Sequence, residues 1–342
     1  MRGKLLLVMW LCAATVMGAG PSFAQGPILL QDTHVIKDIE NRPITFHTER
    51  FDTVRSGPIL LVIDGSGCGG ALREGFSSLL RPAYGRFANY AKLTLTKPGI
   101  DPQSASRKAC TQEYRERYSL DSAVLDHLRV LQHLRSAEWW DGRLFVWGWS
   151  DGGDIGARLI SYYPNVERAM LGAQGGGYTM AQHMEDFWEC PKDRVAPEKR
   201  QECLEDIRGW FEEVRERPLA SEGRQESHKL WRSRLFADLV PLLADDTTPL
   251  LIMHGAKDRD NTPVESARLL ITRLKEQGHE NLRYCEIPEM AHGMSSLGRE
   301  AANELEQATL AWLFDDPSAE NVFEKHCDPD PPLDQIAPPS AL

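Results

Sequence analysis

A surplus of positive charge is the first thing that this sequence lacks. Lysine and arginine number 39 against 50 aspartates and glutamates, which gives a formal net charge of -11 at pH 7. Proteins that bind nucleic acid or anionic lipid through charge concentrate basic residues on one face. The acidic balance therefore argues against nucleic acid as a partner and gives no sign of a basic face that would seek a membrane surface.

Long apolar runs are also missing after the N-terminal segment, because no later stretch has the roughly 20 apolar residues that a membrane-spanning helix needs. The apolar run at residues 5–18 is shorter than that, and it follows the cations Arg2 and Lys4. Small residues then precede a cleavage site after Ala24. This pattern predicts a signal peptide over residues 1–24.

A signal peptide makes the mature protein secreted or periplasmic, with no membrane span after its removal. Two alternatives remain open. The apolar run could be a membrane anchor. Cys12 could carry a lipid, although the bulky Leu11 before it fits a lipid-modification site poorly.

Metal-binding and phosphate-binding motifs are absent as well. The seven cysteines and ten histidines show neither a Cys-x-x-Cys nor a His-Glu-x-x-His spacing. No Gly-Lys-Ser or Gly-Lys-Thr follows the glycine-rich loop at residues 64–70, and the chain has no internal repeat. We therefore expect neither a metal ion nor another cofactor.

Apolar residues make up 42% of the chain, and their pattern alternates between two kinds of segment. Short β-like runs within residues 25–57 precede a continuous apolar run at 58–63, which is typical of a buried parallel strand. Further strands are predicted at 91–96, 143–148, 166–173, 249–253 and 282–287. Helices are predicted at 120–134, 154–163, 264–276 and 301–314. This alternation predicts an α/β fold with a mostly parallel central sheet flanked by helices.

Two segments interrupt the alternation. Residues 180–246 are charged and helical with scattered aromatic side chains, which predicts a helical cap inserted into a core formed by residues 25–179 and 247–315. Residues 316–342 are rich in proline and aspartate and predict a loose C-terminal tail.

Ser150 is the predicted nucleophile. It lies in the run G-W-S-D-G-G at residues 148–153, directly after a buried strand and directly before a helix. A sharp strand-to-helix turn with the G-x-S-x-G pattern exposes the serine hydroxyl on a strained backbone. An ordinary glycine-rich turn is the alternative interpretation.

A serine hydroxyl needs a base, and the base needs an acid that orients it. Asp258 and His292 follow the last two predicted strands, so they are expected at the edge of the sheet where Ser150 lies. Asp260 competes with Asp258 for the acid role. His254 also ends a strand, but it precedes the acid in the chain, whereas the expected order is serine, acid, histidine. We therefore expect His254 to be structural.

Attack on a carbonyl creates an oxyanion that two preorganised donors stabilise. The backbone N–H of Asp151, at the start of a helix, is one expected donor. The other is expected from the loop D-G-S-G at residues 64–67, with the N–H of Ser66 as the first choice. A simple turn is the alternative for this loop.

From about residue 44 to residue 314 the chain resembles the α/β-hydrolase superfamily. G-W-S-D-G-G resembles the G-H-S-x-G-G turn of many esterases and peptidases, H-G-A-K-D-R-D-N-T-P resembles the acid loop H-G-x-x-D-x-x-V-P, and A-H-G resembles the region of the catalytic histidine. L-T-K-P-G-I resembles a segment of the dienelactone hydrolase and prolyl-oligopeptidase-like groups. The acid loop has one more residue before Pro263 than the family pattern, and D-G-S-G stands where relatives often have H-G-x-x.

The resemblance implies acyl transfer to water, with Ser150 as nucleophile, His292 as base and Asp258 as the acid. We expect a carboxylic ester hydrolase that acts on a small-molecule ester through an acyl-enzyme. A serine peptidase or aminopeptidase acting on short peptides is the first alternative. A non-catalytic binding protein on the same fold is the second. The number of subunits is left open.

The cysteine count predicts disulfides, because six cysteines remain in an exported chain once Cys12 is removed with the signal peptide. Cys190 and Cys203 are close together in a helical stretch and form the first expected pair. The other two pairs follow from the expected fold and are Cys68–Cys110 and Cys285–Cys327. Six free thiols are the alternative.

Overall fold

A computed structural model of the chain describes residues 26–82, 87, 89–108, 110–224, 226–259 and 261–333. The predicted signal peptide, the alternative acid Asp260 and residues 334–342 lie outside the described residues. Within those ranges no helix is long and apolar enough to cross a membrane.

Eight strands form one sheet in the described part of the chain. They are β1 (Leu29–Lys37), β2 (Pro43–Phe51), β3 (Gly57–Ile63), β4 (Ala91–Leu95), β5 (Trp140–Trp149), β6 (Val166–Gly172), β7 (Leu250–Gly255) and β8 (Leu282–Ile287). The order across the sheet is β1-β2-β4-β3-β5-β6-β7-β8. β2 runs antiparallel to both of its neighbours, and every other neighbouring pair is parallel.

Helices follow most of the parallel strands. They are α1 (Gln112–Arg117), α2 (Leu120–Leu134), α3 (Asp151–Tyr162), α4 (Met180–His183), α5 (Pro197–Glu216), α6 (His228–Leu235), α7 (Val240–Ala244), α8 (Val264–Glu276), α9 (Arg299–Leu313) and α10 (Ser318–His326). A π-helical turn spans Met184–Trp188, and a 3-10 turn spans Met294–Leu297.

The parallel strands are covered by helices on both faces. In β3, Ile59 and Leu61 pack in the apolar cluster that contains α2, α3 and α8, whereas Leu60 and Val62 pack in the cluster that contains α9 and α10. Successive side chains of a strand point to opposite faces, so a strand covered on both sides is mostly apolar. The predicted α/β architecture with a mostly parallel sheet is confirmed.

Predicted and observed elements differ at the start of the strand before Ser150 and at the start of the helix after it. β5 begins at Trp140 where the sequence indicated residue 143, and α3 begins at Asp151 where it indicated residue 154. Gly152 and Gly153 resemble turn residues in the sequence, but they continue the helix directly from Ser150. The helix therefore starts immediately after the serine.

The insertion, residues 180–246, contains α4 to α7 between β6 and β7. Its helices have an apolar cluster of their own, in which Trp210, Phe211 and Trp231 are almost fully buried. Most of the aromatic side chains that the sequence scatters through this segment thus pack between helices.

The predicted loose tail is wrong for residues 318–326, which form α10. Ala319 and Phe323 lie one helical turn apart, and each is only 1% exposed because it packs in the cluster beside α9. Cys327, directly after the helix, is bonded to Cys285 in β8. The proline- and aspartate-rich composition hid this short amphipathic helix.

All three expected disulfides are present, and they are Cys68–Cys110, Cys190–Cys203 and Cys285–Cys327. The first joins the glycine-rich loop after β3 to the segment before α1. The second lies within the insertion, and the third ties the last helix to the last strand.

Candidate active site

The turn between β5 and α3 holds Ser150 in a strained backbone conformation. Its φ is 57° and its ψ is -126°, in a region that L-residues rarely adopt. A Cβ on Gly148 would lie 2.1 Å from the carbonyl oxygen of Gly152, and a Cβ on Gly152 would lie 2.2 Å from that of Ile63. Glycine at both positions is therefore what allows the turn to bring Ser150 to the edge of the sheet.

His292 and Asp258 lie beside Ser150, as their positions after β8 and β7 predict. The Nε2 atom of His292 is 3.1 Å from the Oγ of Ser150, and its Nδ1 is 2.6 Å from the Oδ2 of Asp258. Asp258 is only 2% exposed. This network assigns the imidazole proton to Nδ1, which donates it in a hydrogen bond to the carboxylate. Nε2 is then free to accept a hydrogen bond from the serine hydroxyl.

The acid loop holds Asp258 through two further groups. The backbone N–H of Thr262 donates to Oδ1 at 3.1 Å. His254 is completely buried, and its Nε2 lies 3.7 Å from the carboxylate and 3.0 Å from the carbonyl oxygen of Thr262, to which it donates. Burial lowers the pKa of His254, so this ring stays neutral and acts as part of the turn.

Trp149 is a contributor that sequence reasoning missed. Its indole N–H donates to the backbone carbonyl of His292 at 2.9 Å. The residue next to Ser150 thus anchors the loop that carries His292. The only sequence signal was an aromatic residue at the variable position of the G-x-S-x-G pattern.

The loop that contains Ser66 is held by three cations. Arg73 binds Asp64 through two hydrogen bonds of 2.7 and 2.9 Å. The Nζ of Lys97, whose side chain is 9% exposed, donates to the carbonyl oxygens of Gly65 and Gly67. Arg107 donates to the carbonyl oxygen of Ser66 at 2.5 Å.

These contacts orient the expected oxyanion donor. In a trans peptide the N–H points opposite to the preceding carbonyl, so a lysine that holds the carbonyl of Gly65 turns the N–H of Ser66 away from itself. The loop also lies against Ser150, because a Cβ on Gly65 would be 3.2 Å from the Cβ of Ser150. Lys97 had no assigned role in the sequence, where it stood only within the L-T-K-P-G-I resemblance.

Asp151 supplies more than the backbone N–H that the sequence indicated. Its N–H opens α3, where the first amides of a helix have no intrahelical acceptor. Its carboxylate forms a buried ion pair with Arg234 of α6. This pair joins the nucleophile turn to the insertion, a link that no local pattern could reveal.

An open cavity of ≈ 380 Å³ lies above Ser150 and is lined by both parts of the chain. Ser66, Asp151 and His292 belong to the core side. The insertion contributes Met180, Trp188, Trp231 and Arg234. The segment between β6 and β7 therefore forms one wall of this cavity, and the edge of the sheet forms the other.

A family model matches the part of the chain that carries the site. The model of the prolyl oligopeptidase family matches residues 113–316, more than half of the sequence. No curated protein matches the chain.

Solved structures share the fold at low identity. Est1E from Butyrivibrio proteoclasticus has a TM-score of 0.54 at 12% identity, covering 84% of this chain and 99% of its own. The esterase Pf2001 of Pyrococcus furiosus has a TM-score of 0.51 at 13% identity, with coverage of 87% and 93%. The acylaminoacyl peptidase of Pyrococcus horikoshii has a TM-score of 0.53 at 14% identity and covers 84% of this chain, which spans only 41% of that peptidase.

Proposed function

The chain belongs to the prolyl oligopeptidase family, within the α/β-hydrolase superfamily, and on that premise we propose that it cleaves a carboxylic ester with Ser150 as its nucleophile. Family and fold together make it a serine hydrolase. The proposal concerns the nature of the acyl substrate and the roles of individual residues.

The observation that carries the proposal is the hydrogen-bonded chain from Ser150 through His292 to Asp258. A neutral imidazole with its Nδ1–H held by a carboxylate offers an unprotonated Nε2 to the serine hydroxyl. His292 accepts the proton as the Oγ of Ser150 bonds to the carbonyl carbon. Asp258 keeps the ring oriented and stabilises the imidazolium that forms.

The proposed reaction then proceeds in two halves. The tetrahedral oxyanion accepts hydrogen bonds from the N–H groups of Ser66 and Asp151, and its collapse releases the alcohol with the proton from His292. Water attacks the acyl-enzyme as His292 takes one of its protons. Collapse of the second oxyanion releases the carboxylic acid and returns the proton to Ser150.

We propose an ester before a peptide because ester cleavage requires less of the catalytic groups than amide cleavage does. An alkoxide leaves more readily than an amide nitrogen, so the base and two oxyanion donors suffice. The wall that the insertion forms beside Ser150 also supports a small substrate over a bulky one.

A short peptide is the second candidate substrate, and the family match is the observation that favours it. The same base can protonate a leaving amine as readily as an alcohol. Parallel assays with p-nitrophenyl esters and aminoacyl-p-nitroanilides separate the two candidates. Failure of both, together with no labelling by a fluorophosphonate, would favour a non-catalytic binding protein.

Replacing the nucleophile tests the assignment directly. Ser150→Ala should abolish ester turnover and covalent labelling by a fluorophosphonate, because no other group is proposed to form the acyl-enzyme. Ser161→Ala, on the same helix α3, is the matched control and should keep both. Stoichiometric labelling that survives Ser150→Ala would refute the assignment.

The proposed location is outside the cytoplasm, in a periplasm or the medium. Three disulfides support an oxidising compartment, where such bonds form and persist. The signal peptide over residues 1–24 stays a prediction.

A further inference from the structure

Three buried side chains that line the cavity above Ser150 carry unpaired polar atoms. Gln174, Trp231 and Arg234 are 8%, 3% and 9% exposed. Both amide atoms of Gln174, the indole N–H of Trp231 and the Nε of Arg234 have no hydrogen-bond partner among the described residues. These atoms are themselves buried beside the cavity, and because a buried donor without an acceptor is unfavourable, a polar ligand that reaches them would be favoured.

The unpaired groups are mainly donors. Gln174 contributes one NH2 group and one acceptor oxygen, whereas Trp231 and Arg234 contribute donors alone. A ligand that satisfies this set must be rich in acceptors. Carboxylates, with two oxygens and no proton at neutral pH, meet that requirement best.

The charges around the cavity also favour an anionic ligand. Arg107 and Lys108 line it, both are exposed, and neither forms an ion pair within the described ranges. The charge of Arg234 is offset by Asp151. Loss of solvent raises the pKa of Asp154, the other acid on the wall, to about 7, so it carries only part of its charge near neutral pH.

A positive cavity is unexpected in this chain, whose net charge is -11. A cleft lined by one sign of charge raises the local concentration of ligands of the opposite sign. The described side chains of the wall therefore combine unpaired donors with Lys108 and with Arg107, which donates to the carbonyl oxygen of Ser66 but forms no ion pair. Met180 and Trp188 line the apolar part of the wall, against which the uncharged part of a ligand can pack.

We infer that the substrate of this site carries a carboxylate, which binds the donor-rich and cationic wall formed by Gln174, Trp231, Arg107 and Lys108. The inference rests on the proposed function, since it assigns a substrate class to the same nucleophile. Substrates of this class are half-esters of dicarboxylic acids, or esters of alcohols and phenols that bear a carboxylate.

Matched substrate pairs test the inference with the full chain. One pair places the charge on the acyl side, as p-nitrophenyl hydrogen adipate against p-nitrophenyl hexanoate. The other places it on the leaving group, as the acetyl esters of meta-hydroxybenzoate and meta-hydroxybenzamide. We expect kcat/KM to be about tenfold or more higher for the anionic member of at least one pair, and the preference to shrink as salt is added.

Two variants test which residues cause the preference for anionic substrates. Lys108→Gln should reduce the ratio of kcat/KM between the anionic and neutral members, and Gln174→Leu should reduce it further through KM. Lys199→Gln removes an exposed lysine of α5 that does not line the cavity, so it should leave the ratio unchanged. Because Lys108 is exposed, its replacement poses little risk to folding.

The outcomes separate this inference from the proposed function. Hydrolysis of neutral members as fast as anionic ones in both pairs, with Ser150 still labelled by a fluorophosphonate, would overturn the inference and leave the nucleophile standing. An anionic preference that Lys108→Gln and Gln174→Leu both leave intact would overturn the assigned wall. No hydrolysis and no labelling would overturn both proposals.

Discussion

At the scale of single residues, Lys97 is a largely buried side chain that holds the loop beside the proposed nucleophile. Its Nζ holds two carbonyls of the loop that carries Ser66, and burial lowers its pKa. Asp64, 3.8 Å away, opposes that shift and favours the charged form. Lys97 is therefore a positioning residue for the proposed oxyanion donor.

Removing this ammonium should weaken catalysis more than binding. We expect Lys97→Met to lower kcat for a p-nitrophenyl ester by about 10²-fold with little change in KM, because one preorganised oxyanion donor is worth that much. Steady-state kinetics measures kcat and KM separately.

Lys92→Met is the matched control for the lysine prediction. Lys92 is also buried, but it lies within β4 and donates to the carbonyl of Ser77, away from the nucleophile. Its loss should reduce stability while kcat is retained. A rise in KM with unchanged kcat in Lys97→Met would contradict the positioning role.

At the scale of elements, the close approach of β5, α3 and β3 depends on glycine. Gly148 faces the backbone carbonyl of Gly152, which cannot move aside as a flexible side chain could. Gly209 in α5 is the opposite case, because a Cβ there would meet nothing within 4 Å.

The two glycines should therefore respond in opposite directions to the same substitution. Gly148→Ala should lower the free energy of unfolding by about 1–3 kcal/mol or prevent folding, because the new methyl overpacks a rigid turn. Gly209→Ala should raise it by up to about 1 kcal/mol, since alanine is the better helix former. Urea denaturation of both variants measures the difference, and a neutral Gly148→Ala would contradict the described turn.

At the scale of the whole molecule, the disulfides close loops of different length. Cys285–Cys327 joins residues 42 positions apart, whereas Cys190–Cys203 joins residues 13 apart and lies within the insertion. A crosslink restricts the unfolded chain more when the loop that it closes is longer.

Loss of the longer crosslink should therefore cost more. Replacing Cys285 and Cys327 by serine should lower the free energy of unfolding by about 4 kcal/mol, against about 3 kcal/mol for the same change at Cys190 and Cys203. Urea denaturation under oxidising conditions gives both values, and non-reducing peptide mass spectrometry verifies the pairs in the parent protein. Free thiols at these positions, or equal stability with and without reductant, would contradict the prediction.

Patterns that depend on one segment at a time were readable from the sequence. The mostly apolar segments predicted the parallel strands, because burial on both faces leaves few polar positions. Once those strands were placed, Ser150, Asp258 and His292 had to fall at one edge of the sheet, since parallel strands end together. The candidate triad thus depends only on strand order and local pattern.

Contacts between distant segments were decided by tertiary packing alone. Three contacts join residues that share no sequence pattern. They are the ion pair of Asp151 with Arg234, the hydrogen bond from Trp149 to the backbone of His292, and the hydrogen bonds from Lys97 to the loop that carries Ser66. The same holds for α10, whose packing against α9 outweighs its polar composition. The sequence by itself determined the fold class and the residues proposed for the chemistry. Only the tertiary structure decided which side chains form the wall of the cavity above Ser150, because that wall exists only where the insertion packs over the sheet.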